Sequence, residues 1–133
     1  NVDWLGIDID CQDRKNSIAD IAERYFHPDE WAWIASADNN TTLRARFFTH
    51  WTLKEAYIKA LGETINSVQL HNIAFDTREN IPQANFLLPD AQWHFRHWMF
   101  DSNQHVSIAC GANGATGNKE TVKSCRFLVK DFQ

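Results

Sequence analysis

Four side chains have the types and spacing to do chemistry. Asp8 and Asp10 are two apart in "WLGIDID", and Glu55 and Lys59 are four apart in "WTLKEAYIKALG". Residues two apart on a strand face the same side, so the aspartates form a carboxylate pair. Held together, they repel and raise each other's pKa. A divalent cation relieves that repulsion, and Mg²⁺ is commonly held by one or two carboxylates with phosphate and water. A solvated strand face is the plain alternative, but Asp is depleted in strands. Residues four apart on a helix stack on one face, so Trp51, Glu55 and Lys59 form a stripe. Glu55 and Lys59 then read in one of two ways. They are a surface ion pair worth about 0.3–0.5 kcal/mol, or a third metal carboxylate beside a phosphate-binding ammonium.

The elements that must position these groups can be read from periodicity. "WLGIDID" alternates, with Leu5, Ile7 and Ile9 on one side and Gly6, Asp8 and Asp10 on the other. That predicts a half-buried strand anchored in the core by Ile7 and Ile9. "SIADIAERYF" has helical spacing with Ser17 as its cap, and Pro28 suits the first turn of "PDEWAWIA". A long helix is expected over 41–61, ended by Gly62. The "NNTT" before it matches a glycosylation acceptor but reads as helix capping. Beyond Gly62, "LHNIAF", "ANFLL", "QWHFRHWMF" and "HVSIAC" read as strands of an antiparallel meander. "GANGATGN" reads as a turn and "TVKSCRFLV" as a last strand. The fold class is therefore α+β: one strand, three helices, then antiparallel strands, with the helices packed on a twisted sheet.

The chain has 133 residues, which suits one domain over 1–133. Its net charge is −4, so it carries no global basic footprint and nucleic acid is not an expected partner. No apolar run reaches the roughly 20 residues of a membrane span. The opening residues do not read as a signal peptide. Three cysteines at wide spacing, Cys11, Cys110 and Cys125, argue for reduced thiols and a cytoplasmic setting. The first residue is Asn rather than Met, which reads as a processed chain or one cut from something longer.

Other candidates carry less. His94 and His97 are three apart in an expected strand, so they face opposite sides and read as ordinary strand histidines rather than a ligand pair. "GANGATG" lacks the following Lys-Ser/Thr of a P-loop. Cys11 reads as a small core hydrophobe. Arg14, Lys15 and Arg24 surround the first helix and offer a basic patch for an acidic partner, with solvated surface charge as the alternative.

Taken in order, "GIDID" and "WTLKEAYIKALG" resemble the two signature motifs of the 4'-phosphopantetheinyl transferase superfamily. Those read roughly G-[IV]-D-[IVL]-[DE] and [WF]-x-x-K-E-[AS]-x-x-K. The tryptophan and "KEA" resemble the surfactin-type branch, and "RYFHPDEW" is similar to its intervening segment. The resemblance covers nearly the whole chain and points to the catalytic, C-terminal half of such enzymes. It implies transfer of the phosphopantetheine arm of coenzyme A to a serine of an apo acyl or peptidyl carrier protein, with Mg²⁺ as cofactor and release of 3',5'-ADP. By motif position, Asp8, Asp10 and Glu55 would bind Mg²⁺. Glu55, or a water it holds, would deprotonate the serine. Lys59 would act on the leaving phosphate, and Lys54 would contact phosphate. Trp51 would pack the helix against the sheet, and Glu30 matches a glutamate that approaches the metal in some members.

Surfactin-type enzymes are pseudodimers, and their N-terminal half grips the nucleotide end of coenzyme A. Only the catalytic half is legible here, so either a second half or a homo-oligomer is expected. The alternatives are a non-catalytic module that binds coenzyme A or a carrier protein, and a Mg²⁺-dependent phosphohydrolase using the same carboxylates.

Overall fold

The computed structural model describes residues 2–15, 17–85 and 91–113. Strand β1 (Trp4–Cys11) leads into helices α1 (Ile18–Tyr25), α2 (Pro28–Ala35) and α3 (Asn40–Leu61). Strands β2 (Phe75–Asp76), β3 (Gln83–Ala84), β4 (Ala91–Phe100) and β5 (Gln104–Asn113) follow. The expected α+β order is thus the observed one.

The sheet differs from the expected meander. β4 and β5 form a hairpin, but β5 also pairs with β1, giving the antiparallel order β1-β5-β4. β2 and β3 make a separate two-stranded sheet. "LHNIAF" begins as a 3₁₀ turn, Leu70–Asn72, before β2. Of "ANFLL" only Ala84 lies in a described strand. The stretch from Gly111 to Asn113 ends β5 rather than making a turn. The rest of that stretch and the expected strand at 121–129 lie outside the described residues.

α3 is the centre of the molecule. The Asn39 side chain caps its start by accepting from the Thr42 N–H at 2.8 Å. Gly62 ends it in the left-handed conformation, φ 68°. Eleven of its residues from Phe47 to Ala60 are buried, polar Thr52, His50 and Lys54 among them. The Thr52 hydroxyl meets the Ser107 hydroxyl of β5 at 2.7 Å. α2 starts with Pro28 and a reciprocal cap: His27 Nδ1 accepts from the Asp29 N–H, and Glu30 accepts from the His27 N–H. Ser17 stands before α1 without making a side-chain cap bond.

The sidedness of β1 corrects the expectation. Leu5 and Ile9 are 45% and 61% exposed, while Asp8 is only 8% exposed. Ile7 packs on the other face of the sheet, with Ile108 and Cys110. The helix covers the side of Gly6, Asp8 and Asp10. The reason lies at Gly6: a Cβ there would run into the Ala56 carbonyl oxygen and the Ala60 amide nitrogen of α3. Glycine lets strand and helix backbones approach this closely. Alternation gave the period of β1 but not which side the helix takes.

His94 and His97 do face opposite sides, opposite Cys110 and Ser107 of β5 respectively. His97, however, is not an ordinary strand histidine. Its Nε2 lies 2.8 Å from His105 Nδ1, and His105 Nε2 lies 2.9 Å from Gln12 Oε1. Burial, then the neighbouring His105, pushes His97 down to about 3. Burial pushes His105 down to about 4, against the pull of Asp10.

Two predictions follow from this packing. Gly6→Ala should destabilise the chain by at least the ~1–3 kcal/mol of a core overpacking, because the clash is with backbone; an unchanged urea midpoint would contradict the close approach. The histidine pair should make stability acid-sensitive. Unfolded histidines take protons near pH 6.5, the folded pair only near 4 and 3. The unfolded chain therefore binds more protons between those values, and stability falls as pH falls through that window. Each histidine should contribute roughly 1 kcal/mol per pH unit. Urea melts between about pH 7 and 5 should show a shallower slope for His97→Gln; equal slopes would refute the assignment.

Candidate active site

The β1–α3 contact brings the sequence candidates together. Asp8, Asp10 and Glu55 line one hollow of about 440 Å³, with Arg14, Lys15, Asp20 and Trp51 among its other walls. A larger hollow of about 630 Å³, between α2 and the β2–β3 pair, contains none of them. The sequence candidates converge on the smaller one.

Lys59 does not pair with Glu55 on the helix surface. Its Nζ donates to Asp8 Oδ1 across the strand–helix contact at 2.7 Å. Asp10 is engaged twice: Oδ1 accepts from the Cys11 N–H at 2.8 Å, and Oδ2 accepts from Arg14 at 3.1 Å. Burial pushes the Asp8 carboxyl up; the Lys59 hydrogen bond opposes this and the charge of Asp10 adds to it. Burial also pushes Glu55 up, followed by the charge of Asp8, with Lys59 opposing and Asp10 adding. The three carboxylates therefore feel one another across the hollow.

Three carboxylates around one hollow are the hard oxygen donors that Mg²⁺ takes, and their mutual repulsion is what a dication relieves. The donor set fits. In the observed rotamers, however, no three Asp, Glu, His or Cys side chains among the described residues are grouped closely enough to hold a metal ion. Asp8 and Asp10 are turned toward Lys59 and Arg14 instead.

Lys54 and Glu30 correct the resemblance. Lys54 is fully buried, and its Nζ donates to Glu30 Oε1 at 2.7 Å and to the carbonyls of Leu70 and Ile73 at 2.7 and 2.6 Å. All three donors of the ammonium are spent inside the protein, so it has none for a phosphate in the hollow. Glu30 is equally buried. It also accepts from the Phe75 N–H at 3.1 Å and faces His50 Nδ1 at 2.9 Å, while His50 Nε2 meets the Thr77 hydroxyl at 2.9 Å. Burial alone would push Glu30 up; the His50 hydrogen bond and the Lys54 charge outweigh it and hold the carboxyl below its usual range. Burial lowers Lys54, against the pull of Glu30. Both groups are spent on these internal partners. They tie α2 and α3 to the segment from Leu70 to Thr77.

Trp51 packs not on the sheet but among helix-side aromatics, 6.3 Å from Phe26 and stacked 6.4 Å from Phe47 between ring centres. Of the expected basic patch, Arg14 and Lys15 line the hollow and Arg24 does not. The Arg14–Asp10 pair and the buried Lys54–Glu30–His50 group had no part in the sequence reading. The i,i+4 spacing of Asp10 and Arg14 was the available signal for the first. The run of apolar neighbours around Lys54 was the signal for the second.

The two lysines of this helix should therefore respond differently. Lys54→Met leaves Glu30 buried without its cation and should cost about 3–5 kcal/mol of stability. Lys59→Gln removes a half-exposed pair and should cost at most ~1 kcal/mol. Chemical denaturation of the two variants reads the contrast, and equal losses would contradict the placement of Lys54.

The sequence relatives fit this geometry. A model described as 4'-phosphopantetheinyl transferase superfamily matches residues 5–110. The chain is 27% identical over 99 residues to the L-aminoadipate-semialdehyde dehydrogenase-phosphopantetheinyl transferase of Xenopus laevis, covering 68% of this chain and 33% of that protein. It is 29% identical over 126 residues to a phosphopantetheinyl transferase of Thraustochytrium, covering 86% of this chain and 44% of that protein. The chain thus spans less than half the length of these relatives. In fold it is similar to the holo-(acyl-carrier-protein) synthase of Bacillus anthracis, solved in complex with CoA (3',5'-ADP). The TM-score is 0.69 at 22% identity, covering 83% of this chain and 96% of that one. With the motif residues gathered at one hollow and the match running from β1 into β5, the chain belongs to the 4'-phosphopantetheinyl transferase superfamily.

Proposed function

We propose that this chain carries the transfer site of a 4'-phosphopantetheinyl transferase, and that it corresponds to the catalytic half of the longer, surfactin-type enzymes. The substrates are coenzyme A and the serine hydroxyl of an apo acyl or peptidyl carrier protein; the products are the holo carrier and 3',5'-ADP. The observation that carries this reading is the meeting of Asp8, Asp10 and Glu55 at one hollow on the β1–α3 contact, with Lys59 bonded to Asp8.

The residues divide the work by position. Asp8, Asp10 and Glu55 would hold Mg²⁺, which when bound neutralises diphosphate charge. Glu55 has no hydrogen bond among the described residues and a raised pKa, so it can take the serine proton directly or through a water. The serine oxygen then bonds to the β-phosphorus while the bond from that phosphorus to the bridging oxygen breaks. The departing 3',5'-ADP keeps that oxygen and its electron pair. Lys59 sits on the rim, with its side chain 53% exposed, where its ammonium can stabilise the departing charge and supply a proton. Lys54 takes no part, because its ammonium is spent inside.

A second half or a second copy completes the site in this reading. β1 carries two of the carboxylates and, among the described residues, pairs only with β5, and Leu5 and Ile9 are exposed on its outer face. The setting proposed is the cytoplasm, on the odd number and wide spacing of the three cysteines. No helix among the described residues is long and apolar enough to cross a membrane.

Incubation with coenzyme A, Mg²⁺ and an apo carrier protein, read by intact mass, tests the function. The carrier should gain one phosphopantetheine arm. Asp8→Asn and Glu55→Gln should abolish the gain, and Lys59→Gln should slow it by about 100-fold or more. Transfer at the wild-type rate by Asp8→Asn would refute the site. Light scattering alongside the assay should show self-association, or activity that rises when a second half is supplied. A strictly monomeric, fully active chain would refute the need for one.

A further inference from the structure

We propose that Lys59 and Arg14 are the resident counter-cations of the strand carboxylates, and that divalent-metal binding is an exchange that displaces them into the hollow. The proposal deepens the transferase reading and rests on it for the phosphate that the displaced cations would meet.

The geometry sets two competing demands on the same oxygens. Asp8 Oδ1 already receives the Lys59 ammonium at 2.7 Å. Asp10 has both oxygens engaged, one by the Cys11 N–H and one by Arg14. A Mg²⁺ ion sits about 2.1 Å from its ligand oxygens. On Asp8 Oδ1 it would lie within about 5 Å of the ammonium, a like-charge contact that only strong screening could offset. One partner must yield, and the structure shows which can. The carboxylates are fixed on a strand, with side chains only 11% and 10% exposed. The Lys59 and Arg14 side chains are 53% and 59% exposed on flexible stems. Being the more exposed and flexible partners, they are the ones able to swing away.

Charge favours the same exchange. With every group ionised, Asp8, Asp10 and Glu55 carry three negative charges, and Lys59 and Arg14 balance two of them. A dication in place of the two side chains leaves the carboxylates with the same net charge. What changes is that an ammonium and a guanidinium become free at the rim, as a dianionic phosphate group would require. Metal occupancy would thereby arm the phosphate-binding side of the site. Lys15 supplies an internal comparison: it lines the same hollow but makes no ion pair among the described residues.

The test is calorimetric titration of the chain with Mg²⁺ alone, without coenzyme A or carrier protein. Lys59→Gln and Arg14→Gln should each bind Mg²⁺ more tightly than wild type, by about fivefold, the weight of a half-exposed ion pair. Lys15→Gln removes the same charge from the same hollow and should change affinity by less than about twofold. Thermal unfolding checks that each variant is folded. In the wild type, ¹³C labelling of lysine side chains adds a direct reading: the Lys59 ε-methylene signal should move on adding Mg²⁺, and that of Lys15 should not. If Lys59→Gln binds no more tightly than Lys15→Gln, or the Lys59 signal stays still at saturation, the exchange is wrong. The transferase reading survives that result provided the wild type binds Mg²⁺ and transfers. If wild type and variants all fail to bind Mg²⁺, the exchange and the metal-dependent transferase reading fall together.

Discussion

The approach of two backbones at Gly6 is the constraint on which the site depends. A strand and a helix usually meet through layers of side chains. Here β1 lies against the α3 backbone at Ala56 and Ala60 with nothing between them. That proximity places a strand carboxylate within reach of a helix ammonium and buries the carboxylate. The raised pKa values of Asp8 and Glu55 are a result, since both begin with burial. Open the contact by one side chain, and Asp8 returns to water while Lys59 loses its partner.

Two lysines of one helix show how position decides the chemistry of an ammonium. Lys54 points into the packed interior, where a buried ion must have every donor satisfied to persist. It finds a carboxylate and two carbonyls there, and it joins α2, α3 and the Leu70–Ile73 turn. Lys59, five residues later, stands at the edge with one partner and room to move. The first gives its charge to architecture, and the second gives it to a single strand carboxylate at the surface. The same contrast separates the glutamates: Glu30 is fully partnered, while Glu55 is exposed to the repulsion of its neighbours.

Much of this was legible in the sequence. The type and spacing of Asp8, Asp10, Glu55 and Lys59 follow from strand and helix periods, and the caps at Asn39, Pro28 and Gly62 fix the helix bounds. Periodicity does not encode sidedness, so Ile9 was assigned to a core it does not enter. Gly6, on the aspartate side, was the available hint. Nor does it encode depth. Lys54 is charged, and only its neighbours Leu53, Ala56 and Tyr57 suggest that it is interior. The β1–β5 pairing joins residues nearly a hundred positions apart, beyond what local pattern can register. The Gln12–His105–His97 chain depends on that pairing and was hidden with it.

A helix wrapped on almost every side leaves little room for neutral change. Within "WTLKEAYIKA", Thr52, Leu53, Lys54, Ala56, Tyr57, Ile58 and Ala60 are held by packing or by buried polar partners. The helix motif by which such chains are recognised is therefore largely a record of architecture; of it, Trp51 and Glu55 line the hollow and Lys59 bonds to Asp8 beside it. A descendant that lost the chemistry would still be obliged to keep most of the motif in order to fold. Under the proposed chemistry, distinguishing a working member from a retired one rests on a few letters: the two aspartates of β1, and the glutamate and second lysine of α3.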